Sequence, residues 1–233
     1  MQAVILAGGL GTRLRPITEA IPKPMVPVAG VPYLKHQLRE LERQGIRDIV
    51  LLTGYLGHQI EEYFGDGSRL GLRLRYSREE QPMGTGGALR QAVELLADLF
   101  LIIYGDSYLP IDYGDVFRKL ESSRALGLVV VYDNRLHDTS VKNNINLDAD
   151  GYVARYEKDG EGLSYVEAGV LAFRRAVVER IPPSRVVSLE KEVFPQLIAG
   201  HDLLAYPTTE RFYDIGTPDR LEAIERLFAH DHH

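Results

Sequence analysis

Short apolar runs that stop at a glycine or a polar break recur through the first half of the chain. Ala3 to Ala7 ends at Gly8-Gly9, and Ile46 to Thr53 carries Ile49, Val50, Leu51 and Leu52. Leu70 to Tyr76, Phe100 to Tyr104 and Leu126 to Tyr132 follow. Stretches of helical spacing separate them. Leu34, Leu38 and Leu41 share a face that Gly45 closes, Gln59 to Phe64 makes a short helix, and Gly84 to Gly87 opens one carrying Leu89, Val93, Leu96 and Leu99. Val116, Phe117 and Leu120 mark another. Near-continuous apolar strands need burial on both faces, and strands joined by helices run parallel. The order therefore predicts an α/β fold with a mostly parallel central sheet flanked by helices. Pro16, Pro22, Pro24 and Pro27 all precede Gly30. That density predicts a loop without regular helix.

After Asp133 the pattern changes. Asn143 to Leu147, Tyr152 to Tyr156 and Tyr165 to Phe173 read as strands joined by DADG and EKDGEG turns. Arg174 to Arg180, Ser188 to Ile198 and Pro218 to Phe228 read as helices, and Leu203 to Tyr206 as a strand. With 233 residues and no repeat or linker, the chain reads as a single domain, 1–233, whose second half adds a small β region. His230 to His233 reads as a frayed tail rather than a metal site.

The formal net charge of -6 carries no footprint for nucleic acid or an anionic membrane, although a local Arg/Lys cluster can still hold phosphate. The absence of cysteine excludes disulfides and thiolate metal sites. The opening MQAVILAGG lacks a basic leader, and no apolar run is long enough to cross a bilayer. The expectation is a cytoplasmic protein without nucleic-acid or membrane partners, monomeric or homodimeric.

Gly8-Gly9-Leu10-Gly11-Thr12-Arg13 leaves the end of the first strand. Its glycines let the backbone turn and offer N–H groups to an anion. Arg13 adds a fork of charged donors suited to phosphate. The segment is not a Walker A loop, which needs GxxxxGK[ST]. Nor is it a dinucleotide fingerprint, since Leu14 occupies the third glycine position and prolines follow. Lys23 stands between Pro22 and Pro24, which narrow the backbone around its ammonium. Alone it reads equally well as a surface lysine. Asp106 follows the strand ending at Tyr104, where an open parallel sheet binds ligands, and Asp214 also ends an apolar stretch. Either could hold a hard cation or serve as a turn or cap residue. Gln81 precedes the glycines of residues 84–87, Glu157-Lys158 precedes a turn, and Glu167-Ala168-Gly169 lies in a strand. A salt-bridged surface hairpin accounts for the last two groups as well.

GGLGTRLRP, IPKPMVPVAGVP, GTGGA, GD after an apolar strand and FYDIGTP together resemble the sugar 1-phosphate nucleotidylyltransferases over nearly the whole chain. The resemblance is greatest to small guanylyltransferases acting on D-glycero-D-manno-heptose 1-phosphate. It implies a Rossmann-like, GT-A-like fold with a nucleotide-binding half (1–132) and a sugar-phosphate-binding half (133–233). It implies that Leu6, Ala7, Gly8, Gly9, Gly11 and Thr12 hold the nucleotide and that Arg13 and Lys23 contact its phosphates. Gln81 and Gly86 would meet the base, and Asp106 and Asp214 would bind Mg2+. Arg13, Lys23, Asp106 and Asp214 are then the catalytic set, and Asn144, Lys158, Glu167 and Gly169 the sugar-phosphate set. The partners implied are a nucleoside triphosphate and a sugar 1-phosphate. EKD and EAG replace the commoner EKP and NAG, which leaves the sugar open. Mannose 1-phosphate guanylyltransferases, uridylyl or thymidylyl enzymes for glucose or amino-sugar phosphates, and a non-catalytic sugar-nucleotide sensor are the alternatives.

Overall fold

Val4 and Ile5 are adjacent in the first strand and both fully buried, yet they belong to different cores. Side chains alternate across a strand, so this is possible only if both faces of the sheet are covered. In the computed structural model, which describes residues 1–135, 139–158 and 160–230, they are. Ala3, Ile5 and Ala7 pack with Leu34, Leu38 and Leu41 of the helix Tyr33–Arg43 and with Val116 and Leu120 of the helix Tyr113–Glu121. Val4 packs with Ala88 and Leu89 of the helix Gly84–Gln91 and with Val177 and Val178 of the helix Arg175–Glu179. Each such buried Val, Leu or Ile side chain contributes roughly 1.5–3 kcal/mol. Residues 231–233 of the tail, and Asp159 of the EKDGEG turn, lie outside the described residues.

The main sheet comprises β1 (Gln2–Ala7), β2 (Asp48–Thr53), β3 (Arg73–Arg78), β4 (Leu99–Tyr104), β5 (Gly127–Tyr132), β6 (Val166–Arg174) and β7 (Leu203–Thr208). These seven strands run in the order β7-β5-β6-β4-β1-β2-β3. Every neighbouring pair is parallel except those of β6, which runs antiparallel to both β4 and β5. The mostly parallel sheet expected from the sequence is therefore present. The second half of the chain is not merely an addition to it, because β6 is inserted into its middle. The ladder of Ile145–Leu147 with Val153–Tyr156 stands apart as a small β region, and two two-residue ladders, Pro27–Val28 with Val31–Pro32 and Ser107–Tyr108 with Tyr213–Asp214, lie outside the main sheet as well.

Three local expectations need correction. The proline-rich stretch contains one helical turn, Ile17–Ala20, and 3-10 turns at Thr12–Leu14 and Lys23–Met25. Pro16 immediately precedes the first of these, where a missing N–H costs nothing, and so does not prevent it. The helix opened at Gly84 ends at Gln91, and Leu99 begins β4 rather than closing the helix. The segment expected as one helix over Ser188 to Ile198 is π-helical at Leu189–Val193 and α-helical at Phe194–Ala199. Pro195 cannot donate to residue 191, so an unbroken α-helical ladder cannot run through it.

The glycines of GTGGA serve a close approach. Gly86 and Gly87 donate their N–H groups to the Val187 carbonyl at 2.8 and 3.2 Å. A methyl on Gly87 would lie 2.7 Å from the Arg185 carbonyl oxygen, and one on Gly86 2.9 Å from Val187 Cγ1. A methyl on Gly9 would meet nothing within 4 Å. Gly87→Ala is therefore expected to cost about 1–3 kcal/mol, read as a lowered Tm, while Gly9→Ala keeps the wild-type Tm.

Candidate active site

The first glycine motif leaves β1 at Ala7, and Gly105-Asp106 leaves β4 at Tyr104. These strands are parallel neighbours, and beyond β1 the chain order continues through β2 and β3 on the other side. Such a point of divergence leaves a crevice at the carboxyl ends of the strands. A cleft of about 410 Å³ lies there, with Gly9, Gly11, Arg13, Lys23, Asp106 and Gly216 in its walls. Leu6 and Thr12 line it as well. Gly8 and Gln81 line a recess beside it, and Ala7 is buried. Gly86 is turned against Val187, so the structure gives it a packing role behind the cleft.

The loop is held from below. Gly11 has φ 62°, a region that favours glycine, and its carbonyl accepts from Thr18 Oγ1 at 2.8 Å. A methyl there would stand 2.9 Å from Thr18 Cγ2 and 3.2 Å from Lys23 Cβ. Gly9 is different: neither its backbone nor its protein neighbours require glycine. The space above it is open to a ligand's close approach. Arg13 is exposed and makes no ion pair or hydrogen bond among the described residues.

Lys23 is mostly buried, stands against Gly11 and pairs with Asp106, so its ammonium is fixed in the cleft wall between the loop and the exit of β4. Asp106 and Asp214 are brought together by a short antiparallel ladder in which Asp214 pairs with Ser107 and Ile215 N–H donates to the Asp106 carbonyl at 3.0 Å. Asp214 accepts from Gly216 N–H at 2.7 Å and from Arg220 at 3.0 Å. Among the described residues no group of three or more His, Asp or Glu forms a metal cage. Two carboxylates on paired strands do fit a hard divalent cation that takes its other oxygens from phosphate and water.

Two residues behind this pair were not singled out from the sequence. Gln37 donates through Nε2 to the carbonyls of Tyr104 at 2.9 Å and Ser107 at 2.6 Å, bracketing the turn that carries Asp106. Tyr33 is fully buried, and its hydroxyl has no partner. Burial first, then the charge of Asp106, pushes its ionisation well above the ordinary tyrosine range, with Asp214 adding to the effect. The available signal was a polar residue, Gln37, inside the stripe of Leu34, Leu38 and Leu41. Glu79 was also missed. It follows β3, accepts from Met83 N–H at 2.8 Å and abuts Gly8, and burial pushes its carboxyl upward.

The residues assigned to a sugar phosphate divide. Asn144 Oδ1 accepts from Glu167 N–H at 2.9 Å and so positions that strand end. Gly169, with φ 77°, passes so close to Ser107 that a methyl would lie 2.6 Å from Ser107 Cβ. Glu167 Oε2 accepts from the Tyr156 hydroxyl at 2.8 Å, and its Oε1 is buried without a partner. Burial, with the charge of Glu190, pushes Glu167 up to about 7. Lys158 is exposed and is not in the cleft wall, while Glu157 pairs with Arg155 at 2.7 Å on the surface.

Comparison with known proteins gives the family. Residues 2–230 match the family model described as nucleotidyl transferase. The chain is 40% identical over 226 residues to a mannose-1-phosphate guanylyltransferase of Mycobacterium tuberculosis, covering 94% of this chain but 62% of that protein. It thus spans about three fifths of that relative's length. It is 30% identical over 234 residues to a D-glycero-alpha-D-manno-heptose 1-phosphate guanylyltransferase of Aneurinibacillus thermoaerophilus, covering 99% of both. The crystal structure of HddC from Yersinia pseudotuberculosis complexed with GMP-PN superposes with a TM-score of 0.81 at 28% identity, covering 97% of this chain and 99% of the other. From the glycine loop to the paired aspartates, the chain belongs to the nucleotidyl transferase family.

Proposed function

We propose that the chain joins a guanylyl group from GTP to a sugar 1-phosphate, giving a GDP-sugar and pyrophosphate, with D-glycero-alpha-D-manno-heptose 1-phosphate as the sugar substrate. The observation that carries this reading is the glycine loop and the Lys23–Asp106 pair lining one cleft at the ends of β1 and β4. The guanylyl relatives support the base and the heptose relative supports the sugar. Mannose 1-phosphate is the second reading, favoured by the 40% identity to the Mycobacterium tuberculosis protein. Both sugars share the manno ring configuration. The reaction would take place in the cytoplasm; among the described residues no helix is long and apolar enough to cross a membrane. A monomer or homodimer would suffice.

In this reading an oxygen of the sugar phosphate forms a bond to the α-phosphorus, and the bond from that phosphorus to the bridging oxygen breaks as pyrophosphate leaves. The nucleophile is already an anion, so no covalent enzyme intermediate is required. Catalysis then consists of positioning and charge neutralisation. Leu6, Ala7, Gly8, Gly9, Gly11 and Thr12 form the strand end and loop on which the triphosphate lies. Arg13, with its unpaired guanidinium, holds the β- and γ-phosphates, and Lys23 neutralises charge at the α-phosphorus. Asp106 and Asp214 would hold Mg2+, which when bound offsets phosphate charge. Gln81 reaches the base from the side recess, and Gly86 supports that loop from behind. Asn144, Glu167 and Gly169 shape the sugar end, and Lys158 reaches the incoming phosphate.

Pyrophosphate release with Mg2+ across four nucleoside triphosphates and several sugar 1-phosphates tests the whole reading. A maximum at GTP with the heptose or mannose phosphate is expected. Release peaking with another pair would reject the assigned base or sugar, and nucleotide binding without release would favour a sensor. Lys23→Ala is expected to lower kcat about a hundredfold or more while the KM for GTP changes far less. Equal losses in both would remove its assigned role. Gly9→Ala, with its normal Tm, is expected to raise the KM for GTP about tenfold.

A further inference from the structure

We infer that Glu190 is a positioning residue for the sugar subsite: it holds Tyr104 beside Glu167 and ties that carboxyl to the helix that starts at Gly84. The inference rests on the proposal that Glu167 faces the sugar.

Glu190 uses both its oxygens. Oε1 accepts from the Tyr104 hydroxyl at 2.8 Å, and Oε2 accepts from Ser188 at 2.6 Å and Thr85 at 3.1 Å. Thr85 in turn accepts from Leu189 N–H at 2.8 Å. Thr85 and Tyr104 both line the nucleotide cleft. One side chain thus connects the cleft wall, the Gly84–Gln91 helix and the carboxyl at the start of β6. Its donors are all neutral hydroxyls. Among the described residues no Lys, Arg or His pairs with Glu190 or Glu167. The titratable groups that face Glu167 are Glu190, Tyr104 and Tyr156.

Two carboxylates in one partly dry cluster resist being ionised together. Glu190 accepts from three hydroxyls, of Tyr104, Ser188 and Thr85. Glu167 accepts from the Tyr156 hydroxyl and has Tyr104 beside it, and its burial with the charge of Glu190 nearby raises its carboxyl to about 7. Ionised, the Glu167 carboxylate is a charged acceptor for a sugar hydroxyl; protonated, it is only a weaker, neutral one. Affinity for the sugar phosphate should therefore fall as pH drops through about 7, the value to which Glu167 is raised. Neutralising Glu190 removes the opposing charge and lets Glu167 ionise at lower pH.

The test is kcat/KM for the heptose and mannose 1-phosphates between pH 5.5 and 9, at saturating GTP and Mg2+, for the wild type, Glu190→Gln and Glu167→Gln. The acid limb of Glu190→Gln is expected about one pH unit lower, with the pH profile of the KM for GTP unmoved. Glu167→Gln should lose that limb and raise the KM for the sugar phosphate. If Glu167→Gln behaves so and the limb of Glu190→Gln coincides with wild type, the role of Glu190 is overturned alone. If Glu167→Gln keeps the wild-type KM for every sugar phosphate, the placement of the sugar fails and takes the inference with it.

Thermal unfolding gives a readout without substrate. A carboxyl raised from 4.5 to about 7 in the fold makes stability decline as pH rises through that window. The Tm of Glu190→Gln relative to wild type should then climb between pH 5 and 8. A constant difference would overturn the inference.

Discussion

The ion pair between Lys23 and Asp106 joins two parts of the chain that would otherwise only approach one another. Lys23 belongs to the proline-framed turn behind the glycine loop, and Asp106 to the exit of β4. The side chains are 11% and 31% exposed, so both lose much of their water. Desolvation of this kind can cancel most of the Coulombic gain, and such a pair is a poor source of stability. Its effect is geometric: it sets a cation and an anion at fixed places on the cleft wall. A phosphate arriving near Lys23 and a divalent cation near Asp106 would each supply the opposite charge. The pair therefore compensates both charges within the cleft wall.

The remaining structure keeps those two charges in register. Gln37 holds the backbone on either side of Gly105-Asp106, and the ladder to Asp214 fixes the second carboxylate. Beside Lys23, Thr18 holds Gly11. Leu14, Val26 and Val28 pack with Ile215, Ile224 and Phe228, so the proline-rich loop is anchored against the C-terminal helix Pro218–His230. This explains how a segment with little regular structure can hold Arg13 and Lys23 in the cleft wall. Its order comes from burial and a few side-chain hydrogen bonds.

Much of this was legible in the sequence where the determinant is local. The β1 run and its glycine loop, the proline frame of Lys23 and the βα order all depend on neighbouring residues, and they appear as read. The errors concern contacts distant in sequence. GTGGA reads as a loop open to a base, yet its glycines are needed because Val187 and Arg185 come to lie on them. Glu79 and Glu190 are ordinary surface candidates until the fold places Gly8 and Tyr104 beside them, and Gln37 shows only as a polar break in an apolar stripe. Lys158 shows the converse: its assignment came from resemblance, and no local feature of residues 157–158 sets its direction.

The direction of β6 was also hidden, and it has a consequence for the site. In a parallel sheet the strands deliver residues to the cleft from their carboxyl ends, as β1 and β4 do. β6 is reversed, with Val170 opposite Ile103 of β4 and Val166 opposite Tyr132 of β5. Its beginning therefore lies at the edge where its neighbours end. Glu167 and Gly169, near that beginning, reach the same rim as Tyr104 and Asp106, and Gly169 passes directly over Ser107. A parallel strand of the same sequence would carry them to the far side of the sheet. Inserting one antiparallel strand next to β4 is thus a way to bring a second set of polar residues to a crevice already occupied by loops from β1 and β4. The residue pattern of β6, apolar almost throughout because both its faces are covered, is the same in either direction, which is why periodicity could not reveal it.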